Sequence, residues 1–312
     1  MSVNGEFIKY QKLSGGRPGP RLLLIAGVHG DEYEPMLAAT ALISELAEIL
    51  SAGEVMVVPV VNSSAYLSQA RCGADGLDLA RTCPGKENGS ITEQTAYHIS
   101  KLIREADYLV DMHTGGLMYD ILPLAGYMLH PSDDVLEKQR NMAMAFNLPI
   151  VWGTEPGPEG RTLSIARDAH IPAIYLEYGG GTGFRTQVVQ AYKDGVVNLL
   201  KHLQMIDNQP DTLPLKGRYW LEDHRLDSGF LQGKMPSPTD GIFEKDVSIG
   251  DVVLRGQKWG SVINPVSGDY TPVYADMDGL AFLIRNIVKV NQGDSLGGIL
   301  PVQQIAKTVI YE

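Results

Sequence analysis

Four side chains in this sequence can do hydrolytic chemistry together, and each stands where an apolar run stops. The stretch LLLIAGVHGDEYE, residues 22–34, runs from four apolar residues through a glycine turn to His29 and Glu32. The run YLVDM ends at His113-Thr114-Gly115-Gly116, and AIYL ends at Glu177 before a glycine-rich segment. Two imidazoles and a carboxylate make a His₂Glu zinc set with a fourth position open for water. Such an ion lowers the pKa of water toward about 7, and Glu177 is then the carboxylate that takes the water proton. His29 and Glu32 are three apart, so a helical turn would put them on one face. Taken alone, residues 22–34 read as readily as a glycine turn with a solvated Glu and a capping Asp. A lone His after a strand is more often structural, so it is the recurrence at strand ends that points to a site.

The elements that must position these groups follow from the apolar pattern. An edge strand is expected over 6–13, a turn at GGRPGP (15–20) and a buried strand over 21–27. A helix is expected from Glu34 to Leu50, and a second buried strand over 55–61. Residues 62–90 are polar and long for a loop in a compact domain, which marks them as functional or disordered. Ser90 and Glu93 have capping-box spacing and open a helix to Glu105. Strands at 108–112, 121–129, 149–152 and 173–178 alternate with helices at 133–146, 161–169 and 185–203. That alternation predicts an α/β fold, a mainly parallel mixed sheet with helices on both faces. In such sheets ligands sit at the carboxyl ends of strands, where all four residues fall. IDNQPDTLP, beginning at Ile206, reads as a linker. Beyond it, short apolar runs divided by Gly, Asp and Asn predict a small C-terminal all-β domain. The expected division is 1–208 for the α/β part and 209–312 for a barrel or sandwich.

Composition narrows the partners. Of 312 residues, 44% are apolar and the formal net charge is −11. No run has the length and apolarity of a membrane helix, so no membrane partner is expected. Without a basic run there is no footprint for nucleic acid. The opening MSVNGEFIKYQ lacks the basic-then-apolar order of a secretory signal, and the expected location is cytoplasmic. Cys72 and Cys83 form no metal or disulfide pattern. A homo-oligomer is compatible with all of this.

The motifs GVHGDE, DGLDLAR, DMHTGG and LEYGGG, in that order, resemble the succinylglutamate desuccinylase/aspartoacylase family of the zinc carboxypeptidase-like clan. The resemblance covers roughly the first two thirds of the chain and extends to the β domain that the family appends. It implies one Zn2+ per chain on His29, Glu32 and His113, with Glu177 acting as base and then as acid. It implies that Arg71 polarises the scissile carbonyl, that Arg81 holds a substrate carboxylate and that Asp78 backs the first histidine. The implied activity is zinc-dependent hydrolysis of a small N-acylated amino acid or amine. Two positions depart from the pattern. Ala80 stands where the family usually has Asn, and Asn62-Ser63 stands where Asn-Pro is common, so the acyl group and the amine stay open. Two other readings stand beside this one, a metallocarboxypeptidase acting on short peptides and a metal-free binding protein. From the residues alone Asp111 reads as a structural acid. Tyr270 or Tyr274 of the C-terminal part is a candidate to enter the cleft.

Overall fold

A computed structural model of the chain describes residues 2–4, 7–207, 219–232 and 234–301. Of the linker expected over 206–214, residues 208–214 lie outside the described residues. Strands β1 (Ser2–Asn4), β2 (Lys9–Ser14) and β3 (Arg17–Ala26) lead into helix α1 (Tyr33–Ile49). Strand β4 (Ala52–Val58), the short helix α2 (Ser63–Leu67) and α3 (Ile91–Glu105) follow. Next come β5 (Tyr108–His113), β6 (Tyr119–Met128), α4 (Asp133–Phe146) and β7 (Ile150–Thr154). Helix α5 (Thr162–Asp168), β8 (Ala173–Gly179) and α6 (Thr186–His202) complete the α/β part.

The central ladder β4-β3-β5-β8 is parallel, and β6 joins β8 antiparallel. Side chains alternate across each strand, and β3 shows the consequence. Leu22, Leu24 and Ala26 face a layer built from α1, α4 and α6, with Leu42, Phe146 and Leu199. Leu23 and Ile25 face the opposite layer, with Ile99 and Ile103 of α3 and Ile165 of α5. A strand buried on both faces must be apolar throughout, which is why 22–26 carries no polar residue.

Two local expectations are corrected. Only Gly15 and Gly16 form the turn expected over 15–20, because β3 already begins at Arg17 and pairs with Ala52. The Pro-Gly-Pro run survives there because β5 pairs with β3 only from Leu22 onward, so its side toward β5 owes no ladder bond. Pro59 lies just past β4, which ends at Val58.

After residue 218 the described chain is strands and turns: β9 (Tyr219–Asp223), β10 (Gly241–Lys245), β11 (Val252–Val253), β12 (Lys258–Ile263), β13 (Tyr270–Tyr274), β14 (Gly279–Arg285), β15 (Lys289–Val290) and β16 (Gly297–Pro301). Strands β13, β12, β10 and β15 form a separate four-stranded antiparallel sheet around Phe243, Trp259 and Val262. The others join the main sheet. Strand β9 adds parallel to β7, and β14 adds antiparallel to the first residues of β6. Ile121, Leu124 and Trp152 are thereby packed with Leu221, Leu231 and Phe282. No described helix is long and apolar enough to cross a membrane.

Candidate metal centre and cleft

The turn after β3 is built for close approach. A Cβ on Gly30 would stand 2.0 Å from the Ala65 carbonyl carbon, so only glycine lets this turn pack on α2. The turn is not helical, yet His29 and Glu32 converge. Glu32, the residue before α1, is 1% exposed and reaches both imidazoles. Its Oε1 lies 2.7 Å from His29 Nδ1, and its Oε2 lies 2.9 Å from His113 Nδ1 at the end of β5. The Thr114 amide donates to the same Oε2 at 3.1 Å. Among the described residues, His29, Glu32 and His113 are the group whose ligand atoms all lie within 4.8 Å of one another and can hold a metal ion.

The far side of each imidazole faces an acid. His29 Nε2 is 3.2 Å from Asp78 Oδ1, and His113 Nε2 is 3.0 Å from Asp111 Oδ1. A carboxylate on one ring nitrogen fixes the tautomer and leaves the other free as a ligand. Asp78 is itself held. Arg71 Nε donates to its Oδ2 at 3.0 Å, and the Ala80 amide donates to its Oδ1 at 2.9 Å. The Thr162 hydroxyl, at the start of α5, donates to Asp111 Oδ2. This donor set of two borderline nitrogens and a carboxylate, each imidazole backed by an acid, fits a divalent transition ion.

Charge reinforces the arrangement. Burial works against ionising Glu32, yet the two histidines hold its carboxyl well below the usual range. Burial likewise opposes charge on His113, but Asp111 and Glu32 raise its pKa well above the ordinary value. Such a cluster asks for positive charge at its centre, as protons or as a cation. Glu177, on β8 directly across from His113 in the ladder, behaves differently. Burial pushes its carboxyl up to about 8; Glu32 and Asp111 add to this, and His113 and Arg71 oppose it. Its Oε2 is buried without a hydrogen-bond partner.

His29, His113, Asp111 and Glu177 line one cleft with a cavity volume of about 80 Å³. Arg71, Arg81 and Arg161 enter it, and Met128, Leu163 and Leu231 supply apolar wall. Arg81 and Arg161 share one ring: their guanidinium carbons lie 5.9 and 5.0 Å from the centre of Phe230, within cation–π range. Arg161 also donates to the Gly229 carbonyl at 2.9 Å. Burial, then the proximity of Arg81 and Arg71, brings its pKa down to about 10. Ala80 lines the cleft between these cations, and Asn62 is spent capping α2 through the Ala65 amide.

The structure thus brings together all seven residues singled out in the sequence: His29, Glu32, His113, Glu177, Arg71, Arg81 and Asp78. It does not bring Tyr270 or Tyr274 there. Both are 54% exposed on β13 and do not line the cleft. Sequence reasoning missed Arg161, Tyr175 and Phe230, and gave Asp111 no part in orienting a ligand. Asp111 and Tyr175 were findable, since each lies two residues before a site residue on a strand and so shares its face. Nothing local marks Arg161 or Phe230.

A family model for the succinylglutamate desuccinylase/aspartoacylase catalytic domain matches residues 18–203. The Nα-acetyl-L-2,4-diaminobutyric acid deacetylase of Halomonas elongata is 31% identical over 292 residues, covering 91% of this chain and 83% of that protein. The crystal structure of a succinylglutamate desuccinylase/aspartoacylase from Rhodobacter sphaeroides superposes with a TM-score of 0.84 at 27% identity, covering 94% of this chain and 88% of that one. The apo structure of the ectoine utilization protein EutE (DoeB) from Ruegeria pomeroyi gives 0.79 at 25% identity, with 94% and 89% covered.

Proposed function

Because this chain belongs to the succinylglutamate desuccinylase/aspartoacylase family, we propose that it is a zinc-dependent deacylase cleaving the N-acyl amide of a small amino acid. The convergence of His29, Glu32 and His113 beside Glu177, whose buried Oε2 has no hydrogen-bond partner, carries this reading. The deacetylase relative favours an acetyl group and a diamino acid such as 2,4-diaminobutyrate. His29 and His113 through Nδ1, with Glu32, would hold the ion. When bound, it supplies Lewis acidity to water and to the scissile carbonyl.

The chain's own groups do the rest. A divalent cation on the neighbouring ligands would oppose the effect of burial and favour the ionised carboxyl, so that Glu177 takes the proton of the attacking water and returns it to the departing amine. The water oxygen adds to the carbonyl carbon, the C–N bond breaks, and a carboxylate and an amine leave. Arg71, charged and fixed by Asp78, faces the oxygen on which negative charge grows. Burial opposes its charge, but Asp78 and then Glu32 hold its pKa up, so it stays a cation. Arg81 and Arg161 give the cleft a positive potential that suits a carboxylate on the substrate. In a chain of net charge −11 they reverse the local sign.

Acetate release from Nα-acetyl-L-2,4-diaminobutyrate, with N-succinyl amino acids and dipeptides as comparators, tests the reading. The wild-type chain should hydrolyse an N-acyl amino acid far faster than any dipeptide. Glu177→Gln should lose about a hundredfold or more in turnover with its metal content unchanged. Near-normal turnover in Glu177→Gln would remove it from the mechanism.

A further inference from the structure

The three candidate ligands reach the sheet edge from two places, and something must hold those places together. His29 and Glu32 come just before α1, and His113 ends β5. Strand β3 pairs with β5 only as far as Ala26 and Met112, so on that side the ladder stops one residue short of His113. The Tyr192 hydroxyl, on α6, reaches this residue from outside the sheet and donates to the His113 carbonyl.

Tyr192 is wholly buried and stands on the inner stripe of α6 with Val188, Val196 and Leu199. Its ring meets Phe146 of α4 edge-on, with centroids 6.5 Å apart and planes at 68°. A phenylalanine would fill that stripe equally well, so the hydroxyl is what this position adds. The first residues of α6 are tied to the other ligand segment. The Arg185 amide donates to Glu34 Oε1 at 3.2 Å, and the Arg185 guanidinium donates to both oxygens of Asp120 on β6 at 2.8 and 3.0 Å. Glu34 is buried two residues past Glu32, in the first turn of α1. Helix α6 thus holds the start of α1 at its own beginning and the end of β5 about two turns later.

We infer that Tyr192 is a positioning residue for the metal centre, its hydroxyl fixing the end of β5 so that the His113 imidazole meets Glu32 and His29. The inference rests on the metal-dependent reading and deepens it, by giving α6 a part in a site whose cleft Tyr192 does not line.

Tyr192→Phe keeps the ring against Phe146 and removes only the hydroxyl. In competition with a chromogenic chelator it should bind zinc at least about tenfold more weakly than wild type, the lower end of what an outer partner of a ligand contributes. Phe146→Leu loosens the same helix contact but keeps the hydroxyl, and its zinc affinity should stay within about twofold of wild type. A smaller loss in Tyr192→Phe, or an equal one in Phe146→Leu, would overturn the assignment; the second would reduce it to packing. Should the wild type bind zinc but hydrolyse no amide, the deacylase reading fails separately and the chelator competition still decides on the tyrosine. A wild type that binds no zinc rejects the inference together with the metal centre.

Discussion

Each imidazole at the centre is gripped from both sides, and the second grip is as informative as the first. Asp78 faces His29 Nε2 while accepting from Arg71 and from the Ala80 amide, so one carboxylate ties the proposed ligand His29 to the cation that would face the substrate carbonyl. Asp78→Asn keeps the shape and the cap on the Ala80 amide but loses the charge. It should weaken metal affinity by about 10–100-fold, read by competition with a chromogenic chelator; unchanged affinity would make Asp78 a structural acid only. The histidines and Glu177 were legible because each ends an apolar run at a sheet edge. Asp111 was underread because a buried acid two residues before a histidine looks like a strand-end residue until Thr162 and His113 are seen on its two sides. Arg161 was invisible because its place depends on Phe230, 69 positions later in the chain.

At the scale of elements, the long segment between α2 and α3 is the part that local patterning describes least and the site needs most. It carries Arg71, Asp78 and Arg81, and side chains rather than regular structure hold it in place. Asp78 caps the short turn Leu79–Arg81, and Ser64 Oγ accepts from the Ala74 amide at 2.8 Å. Asp75 takes the amide and the hydroxyl of Thr92, in the first turn of α3, at 2.9 and 2.7 Å. Desolvation opposes its ionisation, but the Ser90 and Thr92 hydroxyls and the Thr92 amide together outweigh it and bring it down to about 2. A carboxyl lowered on folding stabilises the fold above the ordinary value of about 4, and that contribution is lost as pH falls toward 2. Asp75→Ala should cost about 1 kcal/mol at neutral pH, and the gap to wild type should narrow steadily in denaturant titrations as pH falls from about 5 toward 2. A gap independent of pH would assign the loss to something other than the carboxylate. The α3 capping box was plain in Ser90 and Glu93. The help from Asp75 was not, since it comes from outside the helix.

Across the whole molecule, composition divides the chain near 208 while the ladders run through that division. The change from α/β alternation to short strands was readable from turn residues alone. That β9 and β14 would complete the first part's sheet was not, because strand partners far apart in sequence leave no local signal. We propose that the segments 1–208 and 209–312 differ in architecture yet unfold together, since Leu221, Leu231 and Phe282 cover Ile121, Leu124 and Trp152. Calorimetry should show one cooperative transition whose calorimetric and van't Hoff enthalpies agree; two resolved transitions would mean independent domains. The same junction bears on function, because Gly229, Leu231 and Gln232 close one side of the cleft. The central claim is that a single divalent ion held by His29, Glu32 and His113 is required for deacylation. Its most direct test is to titrate zinc into chelator-stripped protein while following acetate release from Nα-acetyl-L-2,4-diaminobutyrate. Activity should rise from near zero to a plateau at one equivalent per chain, and His113→Ala should stay flat throughout. Full activity in the stripped protein, or a His113→Ala titration that matches the wild type, would contradict the account.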